Sequence, residues 1–201
     1  MIVTLVDYGA GNVTSVARAF RKLGAEVRLS SQAQEINDAS TLVLPGVGHC
    51  AALLTALDDR GLRQSILNAI ARATPFLGIC LGLQALYARS QEAPESPGLG
   101  LFASEVGILP AEVKLPHMGW NQIRATRASR LLEGIAPDAY FYFAHSYAAP
   151  AGGSETTATC EHGREFSAVI ECNRVFGVQF HPEKSGTPGA KLLENFLRVA
   201  A

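Results

Sequence analysis

The sequence predicts an α/β fold, a single domain over residues 1–201 with a largely parallel central sheet flanked by helices. A mixed or antiparallel extension is expected in the second half. Three observations predict this. Short apolar runs alternate with helix-spaced segments from Ile2 to about Ile79. Gly or Pro punctuates most of those runs. Beyond that point helical patterning thins out and strand-like pieces separated by Gly and Pro take over.

The elements follow in order. Ile2 to Val6 is an apolar run that reads as a buried strand, ending at Asp7, with a turn at Gly9-Ala10-Gly11. Val13, Val16, Ala17, Phe20 and Leu23 share one helical face, and Gly24 stops that helix. Glu26 to Leu29 is a second strand. Thr41 to Leu44 is a third, cut off by Pro45-Gly46. Two helices are expected through Leu53-Leu54-Leu57 and Leu62-Ile66-Leu67-Ile70. Phe76-Leu77-Gly78-Ile79 is a fourth strand, and a helix through Leu83, Leu86 and Tyr87 follows it. The later strand candidates are Leu99–Phe102, Val106–Leu109, Asn121–Ile123, Tyr140–Phe143, Glu155–Cys160, Phe166–Ile170 and Val175–Phe180. Ala190, Leu193, Phe196 and Leu197 give a closing helix docked on the core.

Composition excludes several classes of function. The net charge of −1, without any Lys/Arg run, leaves no nucleic-acid footprint. The four cysteines, Cys50, Cys80, Cys160 and Cys172, form no C-x-x-C pair, so neither a zinc site nor a disulfide framework is expected. Free thiols suit a reducing, cytoplasmic compartment. The residues before Asp7 are too few for a signal peptide or a membrane span. A chain this long buries ~70% of the surface its unfolded form exposes, so it needs no covalent or metal staple.

Gly78-Ile79-Cys80-Leu81-Gly82 carries the chemistry. An apolar strand precedes it and a helical pattern follows, the context of a nucleophile elbow with Cys in place of Ser. The tight turn requires small flanking residues. A helix N-terminus favours the thiolate, the reactive form. A buried core cysteine is the bland alternative, but two flanking glycines do little for a core. Among the five histidines, His181 is best placed as a base. It follows the Val175–Phe180 strand, and Pro182 holds it in extended geometry. Glu183 can reach its ring if the backbone curls back. Read in isolation, His181-Pro182-Glu183 is equally a surface turn. Pro45-Gly46-Val47-Gly48 offers backbone N–H groups to an oxyanion. Asp7-Tyr8-Gly9-Ala10-Gly11-Asn12 fails as a dinucleotide loop, having Thr14 where a third glycine belongs. Cys50, Cys160 and Cys172 read as small buried hydrophobes, and His117 and His162 as turn or surface residues.

The elbow together with Gly177-Val178-Gln179-Phe180-His181-Pro182-Glu183 resembles the triad-type (class I) glutamine amidotransferase family. Asp7–Asn12, Pro45–Gly48, Pro116-His117-Met118-Gly119-Trp120-Asn121, Tyr142–Tyr147 and Pro182–Ser185 strengthen the likeness and narrow it to glutaminases that serve a synthase of histidine biosynthesis. The resemblance implies that Cys80 is the nucleophile, His181 the acid and base, and Glu183 the orienting carboxylate. It implies an oxyanion site at Gly46, Val47, Gly48 and Leu81. It implies a glutamine pocket from Gln84, Glu92, His145, Ser146 and Tyr147. Asn12, Trp120, Tyr142 and Lys184 would face a (β/α)₈-barrel synthase in a heterodimer. No cofactor and no metal are expected. Two other readings stay open: a different triad amidotransferase, such as one supplying ammonia for pyridoxal phosphate synthesis, or a non-catalytic binding subunit of the same fold.

Overall fold

A computed structural model describes residues 1–10 and 12–201. Gly11, part of the expected first turn, lies outside the described residues. The chain runs β1 (Ile2–Val6), α1 (Val13–Lys22), β2 (Glu26–Ser30), α2 (Ala33–Asn37), β3 (Leu42–Gly46), α3 (Cys50–Asp59), α4 (Leu62–Ala71) and β4 (Phe76–Cys80). Next come α5 (Leu81–Gln84), β5 (Tyr87–Ser90), β6 (Phe102–Ile108), β7 (His117–Gln122), β8 (Arg124–Ala125), β9 (Tyr140–His145) and β10 (Tyr147–Ala148). The order closes with β11 (Thr156–His162), β12 (Arg164–Cys172), β13 (Val175–Val178), a 3-10 turn (Pro182–Lys184) and α6 (Gly186–Ala200).

Among the described residues the main sheet has eight strands in the order β2-β1-β3-β4-β13-β12-β11-β8. The run from β2 to β13 is parallel, and β12, β11 and β8 extend it antiparallel. This is the expected α/β fold. The parallel strands alternate between two cores. Val3, Leu5, Val43, Leu77, Ile79 and Val178 pack with Phe20 of α1 and Phe196 of α6. Val6, Leu42, Leu44 and Phe76 pack on the opposite face with Leu53 and Leu57 of α3 and Leu62 and Ile66 of α4. Period-two alternation with both faces apolar is what a sheet covered on both sides requires. Each such side chain contributes about 1.5–3 kcal/mol on burial.

Four local expectations need correction. The strand expected at Leu99–Phe102 is absent: Leu99 to Leu101 lie outside any strand, and β6 begins only at Phe102. The third strand does not stop before Pro45-Gly46: Pro45 pairs with Ile79 and Gly46 with Cys80. β1 pairs with β3 only through Leu42 and Val43, so Pro45 lies beyond that ladder, where a missing N–H costs nothing on that side. The helix after Cys80 is a single turn, and Tyr87, assigned to it by spacing, begins β5 instead. There Tyr87 is fully buried and its hydroxyl donates to Glu155 at 3.1 Å, so tertiary contact overrides helical spacing. Cys172 is exposed, since β12 ends at that residue in a turn. Cys50 and Cys160 are buried as expected. In the second half, β5, β6 and β10 form a small separate sheet, and β7 pairs with β9 in a two-stranded one.

Candidate active site

β4 lies between β3 and β13, all three parallel, so their carboxyl ends open on one edge. Sites gather at such edges in parallel sheets. β4 delivers Cys80, β3 delivers Gly46 with Val47 and Gly48 behind it, and β13 leads into Gln179 and His181.

The elbow's glycines are sterically required. A Cβ on Gly78 would lie 2.6 Å from the Gly82 carbonyl oxygen, and one on Gly82 would run into the Leu44 carbonyl. Cys80 itself has φ 54° and ψ −106°, an uncommon conformation for a residue with a side chain. Such strain clusters at functional sites. It turns the thiol out of the strand at the sheet edge, where it is 5% exposed.

His181 and Glu183 meet as the curled backbone allows. His181 Nδ1–H donates to Glu183 Oε1 at 3.0 Å, and the Glu183 side chain is fully buried. Nδ1 is thereby occupied, and Cys80 lines the same cleft as the His181 ring. Burial is the largest influence on the imidazole and opposes its charge. Bonding to Cys80 and Glu183 outweighs it, so the histidine is held well above its ordinary range. Backbone bonds fix the segment: His181 N–H donates to the Tyr142 carbonyl at 2.8 Å, and Ser185 Oγ donates to the His181 carbonyl at 2.6 Å.

A cleft of about 160 Å³ opens beside Cys80. Val47, Gly48 and Leu81 line it, whereas Gly46 is buried in the strand below. Gly48 takes φ +96°, a left-handed conformation suited to glycine. Gln84, Glu92, His145, Ser146 and Tyr147, the five residues expected to bind substrate, all line the cleft. Glu92 also accepts from the Cys50 N–H at 2.9 Å, anchoring the start of α3. Lys184 lies at the rim, with its Nζ 5.7 Å from the centre of the Tyr142 ring. Tyr142 meets Trp120 edge-on, and Trp120 is 55% exposed, unlike a core aromatic. Asn12, expected on the partner face, points its amide at Glu183 Oε1 at 3.4 Å. Glu183 Oε2 is buried and meets no donor among the described residues.

Sequence reasoning passed over two contributors. His117 is not a surface residue but is 5% exposed, and its ring nitrogen lies 3.1 Å from that of His145. They are cross-strand partners of β7 and β9, a pairing no local signal announces. Burial pushes His117 down to about 4 and His145 down to about 3. His162 stacks on His117, with ring centroids 4.2 Å apart. Gln179 is fully buried against Cys80, and its only sequence signal is its place two residues before His181.

Among the described residues no group of three or more His, Cys, Asp or Glu side chains is placed to hold a metal ion. No described helix is long and apolar enough to cross a membrane.

The family described as Glutamine amidotransferase class-I matches residues 4–200. "Imidazole glycerol phosphate synthase subunit HisH" of Methanothermobacter thermautotrophicus is 46% identical, covering 98% of each chain. The protein of that name from Deinococcus radiodurans is 45% identical over 99% of this chain and 94% of its own. The one from Aquifex aeolicus is 43% identical over 100% and 98%. The fold is similar to a crystal structure titled glutamine amidotransferase, with TM-score 0.79, 19% identity and coverage of 100% and 99%. It is also similar to PurLQS from Thermotoga maritima, with TM-score 0.77, 18% identity and the same coverage.

Proposed function

The chain belongs to the class-I glutamine amidotransferase family, and from that premise we propose that it is the glutaminase subunit of an imidazole glycerol phosphate synthase. It is a glutamine amidotransferase enzyme and one subunit of an assembly. Residues 1–201 act as one amidotransferase domain, in the cytoplasm and without a cofactor. The observation that carries the reading is the meeting of Cys80, His181 and Glu183 at one sheet edge beside the small cleft.

The mechanism follows from that geometry. The glutamine carboxamide enters the cleft between Tyr147 and Val47. The Cys80 thiolate attacks its carbonyl carbon, and the C=O electron pair moves onto oxygen. Backbone N–H groups of Val47 or Gly48 and of Leu81 hold the oxyanion. His181, charged and oriented by Glu183, gives its proton to the departing nitrogen. The C–N bond breaks, ammonia leaves, and a γ-glutamyl thioester remains. Water then loses a proton to His181 and adds to the thioester; the C–S bond breaks and glutamate is released. Gln84 and Glu92 hold the substrate's polar groups, with His145, Ser146 and Tyr147 along the opposite wall.

The partner is a (β/α)₈-barrel synthase docked over Asn12, Trp120, Tyr142 and Lys184. It uses the ammonia to make imidazole glycerol phosphate and an aminoimidazole carboxamide ribotide in histidine biosynthesis. The near-full-length relatives bearing the synthase subunit name support this choice over other amidotransferases.

Glutamate release tests the reading. It is measured for the purified chain alone, with the barrel subunit, and with the barrel plus its ribonucleotide substrate. Release is expected only with the loaded partner, and Cys80→Ala should reduce it to the assay background. Release that ignores the partner would leave the chemistry and remove the pathway assignment. No release under any condition would favour a binding subunit.

A further inference from the structure

One buried amide beside the nucleophile has no part in the mechanism above. Gln179 is fully buried, level with the end of β4, with Nε2 3.6 Å from Cys80 Sγ. Its orientation follows from the hydrogen bonds around it. The Tyr147 backbone carbonyl can only accept, so Gln84 must present Nε2 to it, at 2.7 Å. The second N–H of Gln84 then donates to Gln179 Oε1 at 3.0 Å. With Oε1 so occupied, Gln179 can turn only an N–H toward the sulfur. The same carbonyl accepts from His145 Nδ1–H at 2.9 Å. That leaves His145 Nε2 to accept from His117 Nδ1–H, and Asn121 Nδ2–H, 3.2 Å away, donates to His117 Nε2. Every polar atom along the chain has a determined sense.

We propose that Gln179 is a further catalytic residue, whose amide N–H holds the Cys80 sulfur in its anionic form and in the direction of attack. The inference rests on Cys80 being the nucleophile. A carboxamide without a partner is costly to bury at this position, where Leu or Met would fill the same volume. An N–H donor is matched far better by a thiolate than by a thiol. The bond acts at two points. Before attack it is a donor independent of His181, so the sulfur keeps a donor when the imidazolium turns its proton to the leaving nitrogen. At thioester breakdown the C–S electron pair returns to sulfur, and the same N–H receives the charge.

The test is the rate at which iodoacetamide alkylates Cys80 as a function of pH. Peptide mass spectrometry follows the intact chain, with exposed Cys172 as internal reference. Gln179→Met is expected to move the Cys80 curve up by about one pH unit, the size of a charge-assisted hydrogen bond. Gln179→Glu is expected to move it further, since a carboxylate then faces the sulfur. Gln84→Met, which frees Gln179 to rotate and also alters the cleft wall, is expected to give a smaller shift of the curve's midpoint in the same direction, whatever its effect on the plateau rate, and serves if the Gln179 variants fail to fold. Variants that melt at lower temperature while their curves coincide with wild type would overturn the proposal and make Gln179 structural. Wild-type Cys80 reacting no faster than Cys172, with glutamate release surviving in Cys80→Ala, would instead sink the nucleophile assignment beneath it.

Discussion

At the scale of single residues, the proposed reactive centre depends on atoms that are missing as much as on those present. Gly82 has no Cβ because the Leu44 carbonyl occupies its place. Gly82→Ala is therefore expected to destabilise the fold by about 1–3 kcal/mol, measured by urea unfolding, because the obstacle is backbone and cannot rotate away. Glu183→Gln makes a different kind of change. It keeps the side-chain shape but can offer an N–H to His181 Nδ1, favouring the wrong tautomer. Glutaminase turnover with the loaded partner is expected to fall by up to ~10⁴-fold while the melting temperature changes little. An equally active Glu183→Gln would remove Glu183 from the triad. Cys80, its two glycines and the His-Pro-Glu run were all legible in the sequence, because tight turns and proline restrict the chain locally. Gln179 was not, because its meaning lies in what faces it from the end of β4.

At the scale of elements, β7 and β9 join the exposed Trp120 surface to the cleft through buried histidines. His117 and His145 are held down to about 4 and about 3, chiefly by burial. In the unfolded chain they take up protons near pH 6.5. The unfolded state therefore binds more protons as pH falls from 6.5 toward 4, and stability falls with it, by up to ~1.4 kcal/mol per pH unit for each histidine. His117→Gln is expected to flatten the stability-against-pH curve in that window by up to one proton, read from urea midpoints. An unchanged slope would mean that His117 is protonated in the fold. His181 acts in the opposite sense: its value is raised, so its contribution is complete below about pH 6.5 and is lost as pH rises through the folded value. Spacing alone misplaced elements where burial decided the outcome: Tyr87 entered a strand, and the residues after Cys80 made one helical turn in place of a full helix.

At the scale of the whole molecule, the cleft and the outward-facing aromatics lie on connected segments. Tyr142 contacts Trp120 through its ring, Lys184 lies over it, and its carbonyl holds His181. A partner seated on Trp120 would bear on the same strand that anchors His181. Trp120→Ala is expected to weaken the proposed complex with a barrel subunit by about 2 kcal/mol or more, the size of an interface anchor, in a titration at fixed salt. Unchanged affinity would move the docking surface elsewhere. Burial and fold are not expected to suffer, since the ring is more than half exposed.

The sequence by itself determined the parallel α/β frame, since alternating apolar runs and helix-spaced segments permit few other layer arrangements. It also determined the elbow at Cys80, because a strand-to-helix turn of that tightness tolerates only glycine on either side. Tertiary structure alone decided which distant segments meet. Strand order put β13 beside β4, so His181 and Gln179 reached the sulfur, and β7 beside β9, so His117 reached His145. The reason is physical: turn chemistry and periodicity act over a few residues, whereas strand pairing and burial act between residues far apart in the chain, and no local pattern encodes that partner.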